Sequence, residues 1–303
     1  MGFLYLLEKV RIPVLNEFML LITQLGEETA FLVVAIIIFW CVDKYKGYYI
    51  LSVGFIGTLA NQFMKLWFRI PRPWVLDENF TILEPAREAA AGYSFPSGHT
   101  QSSVGTFGGI ALTVKNRWIR YGAIALAVLV PFSRLYVGVH TPLDVGVAAL
   151  MAVALLFLLR PVFLGENRKY IPYLLGIMLV LAVAYFCFIT FYKFPADIDR
   201  HNLESGTKNA YTLLGALLGL LTVYIVDRKW LQFPTKAVWW AQIIKTAVGF
   251  GLILLVKSGL KDALTMFLGE YPGRAVRYYL IVIVAGILWP LSFKFFSKLG
   301  KKE

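Results

Sequence analysis

Two of the three histidines in this chain stand among residues that could transfer a phosphoryl group. His99 ends the segment Phe95-Pro-Ser-Gly-His99, and His140 precedes Asp144 by four residues. That spacing places His140 and Asp144 on one face of a helix. Asp144 can accept a hydrogen bond from Nδ1–H of His140, which leaves Nε2 as a nucleophile for phosphorus. His99 can then protonate the leaving group and activate water.

Positively charged side chains accompany both histidines. Lys65 and Arg72 stand near the end of one apolar run, and Arg134 stands near the end of another. Arginine and lysine can bind the anionic oxygens of a phosphoryl group and stabilise its charge during transfer. Ser97 and Gly98 begin the apolar run that contains His99. Their backbone N–H groups are predicted to meet an anion at the positive end of that helix.

Each of these clusters has a simpler explanation when it is considered alone. Lys65, Arg72 and Arg134 would usually anchor helix ends at a membrane surface. His140 and Asp144 would more often form a structural hydrogen bond. The functional interpretation depends on their coincidence, because all the clusters are predicted at the same ends of neighbouring helices.

The elements that position these residues are predicted to be membrane helices. The chain has 303 residues, of which 58% are hydrophobic and 16% charged. Its long apolar runs predict an all-α, polytopic helical bundle. We expect roughly nine spans, which lie at about 28–42, 47–66, 99–115, 119–138, 142–160, 171–192, 209–226, 237–257 and 276–297.

The basic residues predict the orientation of this bundle. The net charge is +12, and its lysines and arginines recur at span ends. This pattern favours membrane topology and anionic lipid over nucleic acid as a partner. One set of short loops is consistently basic and is predicted to be cytoplasmic. The candidate site, including the long loop at about 67–98, is therefore expected on the non-cytoplasmic face, in the plasma membrane.

The motifs Lys-x6-Arg-Pro, Pro-Ser-Gly-His and Ser-Arg-x5-His-x3-Asp resemble the type-2 phosphatidic acid phosphatase superfamily. The resemblance covers about residues 47–160 and implies a superfamily phosphatase core. It implies that His140 is the nucleophile, His99 the acid and base, and Asp144 the group that orients His140. It also implies that phosphate is bound, with no metal and no cofactor, by Lys65, Arg72, Ser97, Gly98 and Arg134.

The resemblance also predicts how the chain is organised. We expect an N-terminal interfacial segment at 1–27, a phosphatase transmembrane core at 28–192 and additional C-terminal transmembrane helices at 193–303. A tilted first span is the alternative for the N-terminal segment. Two spans before the first motif and several after the third are more similar to the glucose-6-phosphatase and sphingosine-phosphate phosphatase branches than to the six-span bacterial enzymes. This similarity of layout does not transfer a substrate.

The membrane depth of the site favours a phosphorylated lipid as the substrate, either a monoester or a diphosphate. Phosphatidic acid, phosphatidylglycerophosphate, lysolipid phosphates and undecaprenyl diphosphate are the candidates. A water-soluble sugar phosphate, a phosphotransferase reaction and a lipid-binding relative without catalysis are the alternatives.

Three further features receive structural interpretations. Gly215 and Gly219 form a G-x-x-x-G pattern, for which packing within the chain is preferred over a homodimer through transmembrane helices. Lys245 is expected to extend from its span towards the membrane surface, with a buried contact to another helix as the alternative. Asp197, Asp199 and His201 are interpreted as a solvated loop and not as a metal site.

Overall fold

The computed structural model describes residues 1–88, 90 and 92–299, and the described chain is helical with no β-strand. The predicted all-α class is therefore confirmed. The helices are α1 Gly2–Lys9, α2 Pro13–Gln24, α3 Glu28–Ile37, α4 Lys44–Phe68, α5 Pro73–Leu76, α6 Pro85–Glu88, α7 Gly98–Thr113, α8 Arg117–Tyr136, α9 Pro142–Leu164, α10 Ile171–Phe191, α11 Arg200–Val226, α12 Trp239–Gly259, α13 Lys261–Leu268, α14 Glu270–Ile283 and α15 Phe293–Phe296.

Six helical segments of the described chain are long and apolar enough to cross a membrane. A seventh is added if α2 and the helical segment Glu28–Val42, which meet at 56°, are counted as one broken span. The six are Arg117–Tyr136, Pro142–Leu164, Asn167–Phe191, Arg200–Leu231, Trp239–Leu268 and Glu270–Phe296.

The prediction of roughly nine spans is therefore wrong in number, although helices occupy all nine places. The stretch 47–66 lies in α4, where Asn61, Gln62 and several tyrosines lower the mean hydropathy. The stretch 99–115 forms most of α7, which has only 16 residues, whereas a span needs about 20. Both helices carry predicted site residues, which accounts for their polar side chains.

The chain divides into two compact units. The first comprises Met1–Ala35, Tyr49–Pro161 and Asp197–Ser205, and it contains all the predicted site residues. In this unit α7 packs against α8 as an antiparallel pair, and α2 also lies against α8. Phe107 and Ala111 of α7 form an apolar cluster with Ala123 and Val130 of α8.

The long segment between α4 and α7 is fixed by the N-terminal helices of the same unit. Phe80 and Ile82 pack against the buried side chain of Leu4 in α1. Arg11 donates hydrogen bonds to the carbonyl oxygens of Tyr136 at 3.0 Å and Thr81 at 2.9 Å. The N-terminal residues therefore hold the segment that leads from Arg72 to His99.

The second unit comprises Ile36–Tyr48, Val162–Ala196 and Gly206–Glu303. A Cβ atom on Gly215 of α11 would lie 2.0 Å from the carbonyl oxygen of Ala275 in α14, and one on Gly219 would lie 2.9 Å from Val282. The two glycines thus allow close packing of α11 on α14 within the chain, which was the preferred interpretation. A homodimer stays a prediction.

Lys245 is buried within this second unit. Its Nζ donates to the carbonyl oxygens of Trp40 at 2.8 Å and Thr235 at 3.1 Å, and it lies 4.4 Å from the ring centre of Phe293. The expectation that Lys245 reaches the membrane surface is therefore wrong. Backbone carbonyls and an aromatic face solvate the ammonium group inside the protein instead.

Candidate active site

The helices of the first unit bring six of the eight predicted site residues to one cavity. Its volume is about 230 Å³, and its lining includes Lys65, Arg72, His99, Arg134 and His140. Each residue comes from an end of a helix or from the segment beside it, as the motifs predict. Gly98 also lines the cavity, whereas Asp144 and Ser97 stand behind it.

His140 lies between α8 and α9 and is 1% exposed. Its Nε2 is 2.9 Å from Nη1 of Arg72, and its Nδ1 is 3.5 Å from Oδ2 of Asp144. An arginine can only donate hydrogen bonds, so its contact favours a lone pair on Nε2 and the proton on Nδ1. This tautomer, inferred from the contacts, is the one that attack by Nε2 requires.

A hydrogen-bonded turn at the start of α9 holds Asp144. Its Oδ2 accepts from the backbone N–H of Thr141 at 2.7 Å, while Oγ1 of Thr141 accepts from the N–H of Asp144 at 3.3 Å. This reciprocal pair is a capping box, and Pro142 begins the helix inside it. The sequence Thr-Pro-Leu-Asp thus fixes the carboxylate relative to His140.

Ser94 completes the support of the carboxylate. Its hydroxyl donates to Oδ2 of Asp144 at 2.6 Å. The Oγ atom of Ser94 also lies 3.4 Å from Nδ1 of His140. Sequence analysis missed Ser94. Its signal was weak, because Ser94 stands three residues before Ser97 in a loop and 50 residues from its partner.

Arg72 precedes the short helix α5 and is 6% exposed. Besides its contact with His140, it donates from Nε to the carbonyl of Gly92 at 3.0 Å and from Nη1 to that of Val139 at 2.9 Å. Burial lowers the pKa of Arg72 to about 10, and the charge of Asp144 opposes this shift. The guanidinium group therefore keeps its charge at neutral pH.

Arg134, in the last turn of α8, is fully buried. Its Nη1 donates to Oγ1 of Thr23 at 2.6 Å, while Nε and Nη2 have no hydrogen-bond partner among the described residues. An unpaired buried donor is costly, and an anion would satisfy two parallel N–H groups at once. Thr23 was also missed, since it belongs to a helix that the sequence placed at the interface.

Lys65, in the last turn of α4, donates from Nζ to the carbonyl of Tyr93. It also borders a second cavity of about 40 Å³, where Asn202 and Ser205 from the first turns of α11 form part of the lining. Tyr93 lines the same cavity, and its hydroxyl accepts a hydrogen bond from the backbone N–H of Asp199 at 3.3 Å. The segment Asp197–Ser205 is therefore a neighbour of Lys65, which is predicted to bind phosphate.

His99 and Gly98 begin α7, and Nε2 of His99 is buried without a hydrogen-bond partner among the described residues. Ser97 caps this helix, because its hydroxyl accepts from Thr100. The N–H of Ser97 donates to the carbonyl of Asp144 at 3.1 Å. Ser97 therefore fixes α7 to α9 in this structure, and only Gly98 of the two meets the cavity.

The pKa of His140 lies well below its ordinary value, first because of burial and then because of the charges of Arg72, Arg134 and Lys65. The imidazole is therefore held neutral, as a nucleophile must be. The described residues contain no group of three or more His, Cys, Asp or Glu side chains that could hold a metal ion. The arrangement combines a neutral imidazole, a supported carboxylate and three cations around one cavity.

Comparison with known proteins agrees with these motifs. The PAP2 superfamily model matches residues 45–168, which include all the predicted site residues. A second model, PAP2 superfamily phosphatase, transmembrane extension, matches residues 211–302. No solved structure matches significantly.

Three curated relatives illustrate the range of similar proteins. Undecaprenyl-diphosphatase BcrC of Bacillus subtilis is 33% identical over 105 residues, 35% of this chain and 51% of that protein. Sphingosine-1-phosphate phosphatase 1 of Mus musculus is 25% identical over 258 residues, 79% of this chain and 58% of that protein. Phosphatidylglycerophosphatase B of Bacillus subtilis is 31% identical over 164 residues, 50% of this chain and 76% of that protein.

The chain thus spans between half and three fifths of the first two relatives. It covers about three quarters of the third at 31% identity, and the superfamily model includes all the predicted site residues. Together with the histidines and cations that meet there, these matches show that the chain belongs to the PAP2 superfamily.

Proposed function

We propose that this protein is an integral-membrane phosphatase that hydrolyses phosphorylated lipids through a phosphohistidine formed on His140. The observation that carries the proposal is the environment of His140. Its imidazole is buried and neutral, its Nδ1 faces Asp144, and it shares a cavity with His99 and three cations. A lone membrane histidine would have no such support.

In the first step Nε2 of His140 attacks phosphorus, and the bond from phosphorus to the leaving oxygen breaks. The leaving oxygen takes a proton from His99. Arg72 exchanges its contact with Nε2 for contacts with phosphoryl oxygens, which Arg134 and Lys65 also bind. In the second step His99 removes a proton from water, the water oxygen attacks phosphorus, and phosphate leaves His140.

The membrane character of the chain and its relatives support a lipid as the substrate. Six or seven candidate spans place the cavity in a membrane protein. The three relatives are named for undecaprenyl diphosphate, sphingosine 1-phosphate and phosphatidylglycerophosphate, and what these substrates share is a phosphorylated lipid. The non-cytoplasmic, plasma-membrane location of the site rests on the basic loops.

A panel assay tests this function. Purified protein in detergent, with chelator and no added metal, is incubated with phosphatidylglycerophosphate, sphingosine 1-phosphate, undecaprenyl diphosphate and glucose 6-phosphate, and released phosphate is measured. We expect release from at least one lipid and essentially none with His140→Ala. Activity on the sugar phosphate alone, a requirement for divalent metal, or full activity of His140→Ala would each contradict the proposal.

The intermediate has its own test. With a 32P-labelled lipid that is turned over, quenching under non-acidic conditions should trap label on His140, because phosphohistidine is acid-labile. His99→Ala is expected to slow release of the label more than its formation when the leaving group is a good one. Turnover without any labelled protein in wild type would argue for direct attack by water.

A further inference from the structure

The cavity also has polar lining residues that phosphoryl transfer leaves unused. α4 contributes Thr58, Asn61 and Gln62 on the same face as Lys65, and α7 contributes Gln101 and Ser102 after His99. Gln101 is already engaged, since its Nε2 donates to the carbonyl of Val53 at 3.2 Å. The remaining groups need another explanation, because polar side chains on helices of a membrane protein are costly.

Asn61 is the most demanding of them. It is 2% exposed, and neither its amide nitrogen nor its amide oxygen has a hydrogen-bond partner among the described residues. The hydroxyl oxygen of Ser102 is also buried and has no hydrogen-bond partner among the described residues. A buried amide that can donate and accept, and a hydroxyl with the same abilities in the lining of the same cavity, suit a neutral group that can also do both.

The amide of Asn61 lies near His99, the group that is proposed to donate a proton to the leaving oxygen. A Cβ atom on Gly98 would lie 3.9 Å from Oδ1 of Asn61, so the amide stands at the start of α7, beside His99. Ser102 follows His99 by three residues and therefore lies on the same face of α7. The proposed proton donor to the leaving oxygen thus has an unpaired amide and an unpaired hydroxyl as neighbours.

The charge of the lining favours one phosphoryl group. Its positively charged side chains are Lys65, Arg72 and Arg134, and the other described lining residues add only the negative charge of Glu28. Three cations suit the oxygens of a single phosphoryl group. A diphosphate would bring a second anionic group to a lining that holds no further cation among the described residues.

We propose that Asn61 and Ser102 bind a hydroxyl group on the alcohol that carries the phosphate. The preferred substrate class is then a lipid phosphate monoester with a free hydroxyl next to the phosphate-bearing carbon, rather than a polyprenyl diphosphate. This inference rests on the proposed phosphatase activity. Asn61 and Ser102 are specificity residues, since they contact the organic part of the substrate and not the transferred phosphoryl group.

Two synthetic lipids that differ by one hydroxyl test the inference. The first is a 1-acylglycerol 3-phosphate, and the second is the corresponding 1-acylpropanediol 3-phosphate without the 2-hydroxyl. We expect wild type to prefer the first in kcat/KM by roughly 10-fold or more, because a site that pairs a hydroxyl disfavours its absence. Asn61→Leu, of similar size, should reduce this ratio to near one through loss of activity on the hydroxylated lipid. Ser102→Ala should reduce it partly.

Matched controls separate recognition from folding. Ser52→Ala in α4 and Ser103→Ala in α7 alter buried hydroxyls on the same two helices that do not line the cavity. Both should leave the substrate ratio unchanged. If Asn61→Leu does not fold, the wild-type ratio and Ser102→Ala decide the question by themselves.

The outcomes also separate this inference from the proposed function. Equal kcat/KM for the two lipids in wild type, an unchanged ratio in Asn61→Leu, or faster hydrolysis of undecaprenyl diphosphate than of either would overturn the role of Asn61 while phosphatase activity stands. If no phosphorylated lipid in either assay is hydrolysed, the proposed function fails first.

Discussion

The hydroxyl of Ser94 donates to Oδ2 of Asp144 at 2.6 Å and lies 3.4 Å from Nδ1 of His140. One side chain thus touches both the proposed nucleophile and the carboxylate that is proposed to orient it. With the N–H of Thr141 as a second donor, the carboxylate cannot turn freely. The relative position of His140 and Asp144 is therefore fixed by a loop residue that precedes α7 as well as by the start of α9.

We expect Ser94→Ala to lower kcat roughly 10–100-fold with little change in KM, since a hydrogen bond to a charged group contributes about 1.5–3 kcal/mol. The loss should appear in kcat because Ser94 supports His140 and does not contact the phosphoryl oxygens. Steady-state kinetics on the substrate found in the panel measure the effect. Ser103→Ala is the control, and equal kinetics of Ser94→Ala and wild type would rule out this support.

The pH dependence should reflect the neutral state of His140. Burial, and then the charges of Arg72 and Arg134, hold its pKa well below the ordinary value. In the proposed mechanism the neutral ring of His140 attacks phosphorus. The ring therefore stays neutral and able to attack as the pH falls through about 6.5, where histidine ordinarily titrates. We expect the acid limb of kcat/KM, which reports groups of the free enzyme, below that pH. Arg72→Gln should move this limb upward because one of the depressing charges is gone.

The substrate also titrates in this range, so its phosphate is followed separately by 31P NMR. The lowered pKa of His140 also affects the stability of the folded protein. Below about pH 6.5 the unfolded chain takes up a proton on this histidine that the folded chain does not, so stability falls from there towards the folded pKa. An acid limb of kcat/KM above 6.5 that is assigned to His140 would refute a depressed pKa.

Thr23 should influence phosphate binding from the N-terminal part of the chain. It accepts from Nη1 of Arg134 at 2.6 Å and so orients the guanidinium group. Thr23→Val keeps the shape and removes the acceptor, and we expect KM to rise roughly 10-fold or more, because a hydrogen bond to a charged group contributes about 1.5–3 kcal/mol. Arg134→Lys should lose more, because lysine cannot offer two parallel N–H groups.

Inhibition by vanadate provides the second readout for these two variants. Its affinity should fall in the same order, with wild type tightest and Arg134→Lys weakest. Thr23→Val with an unchanged KM and unchanged vanadate affinity would show that the N-terminal contact does not matter for anion binding.

Gly215 should be essential to the packing of α11. A Cβ atom there would lie 2.0 Å from the carbonyl oxygen of Ala275, a contact that backbone movement must relieve. We expect Gly215→Ala to destabilise the protein by about 1–3 kcal/mol, as overpacking of a tight core does. Thermal unfolding in detergent measures this. Gly176→Ala in α10, where nothing lies within 4 Å, is the control and should be nearly neutral.

The motif residues could be predicted because their types and spacing are informative without any partner. Lys65, Arg72, His99, Arg134 and His140 do meet in one cavity, and the Thr-Pro-Leu-Asp capping turn also forms as its sequence indicates. Their catalytic roles stay predictions. Ser94 and Thr23 could not be found in this way, since only the fold brings them to partners remote in the chain. Asn61 could not be found either, since only the fold shows that its amide is buried at the cavity.

The number of spans failed for a related reason. α4 and α7 have the position and the helical structure of spans, but they carry Asn61, Gln62, Gln101 and Ser102 on faces that line the cavity. The prediction counted both helices as spans, whereas Asn61 and Gln62 lower the hydropathy of α4 and α7 has only 16 residues. Lys245 shows the same limit, because one of the carbonyls that solvate it, that of Trp40, comes from a distant part of the sequence.

The small cavity shared by Lys65, Asn202 and Ser205 has a consequence for how this chain can be divided. A fragment that stopped at Phe191 would retain every motif and yet lack part of the lining beside Lys65. Asn202 and Ser205 lie outside both matched segments, 45–168 and 211–302, so neither segment alone contains them. Trimming the protein to its recognisable core would open the site to water at Lys65.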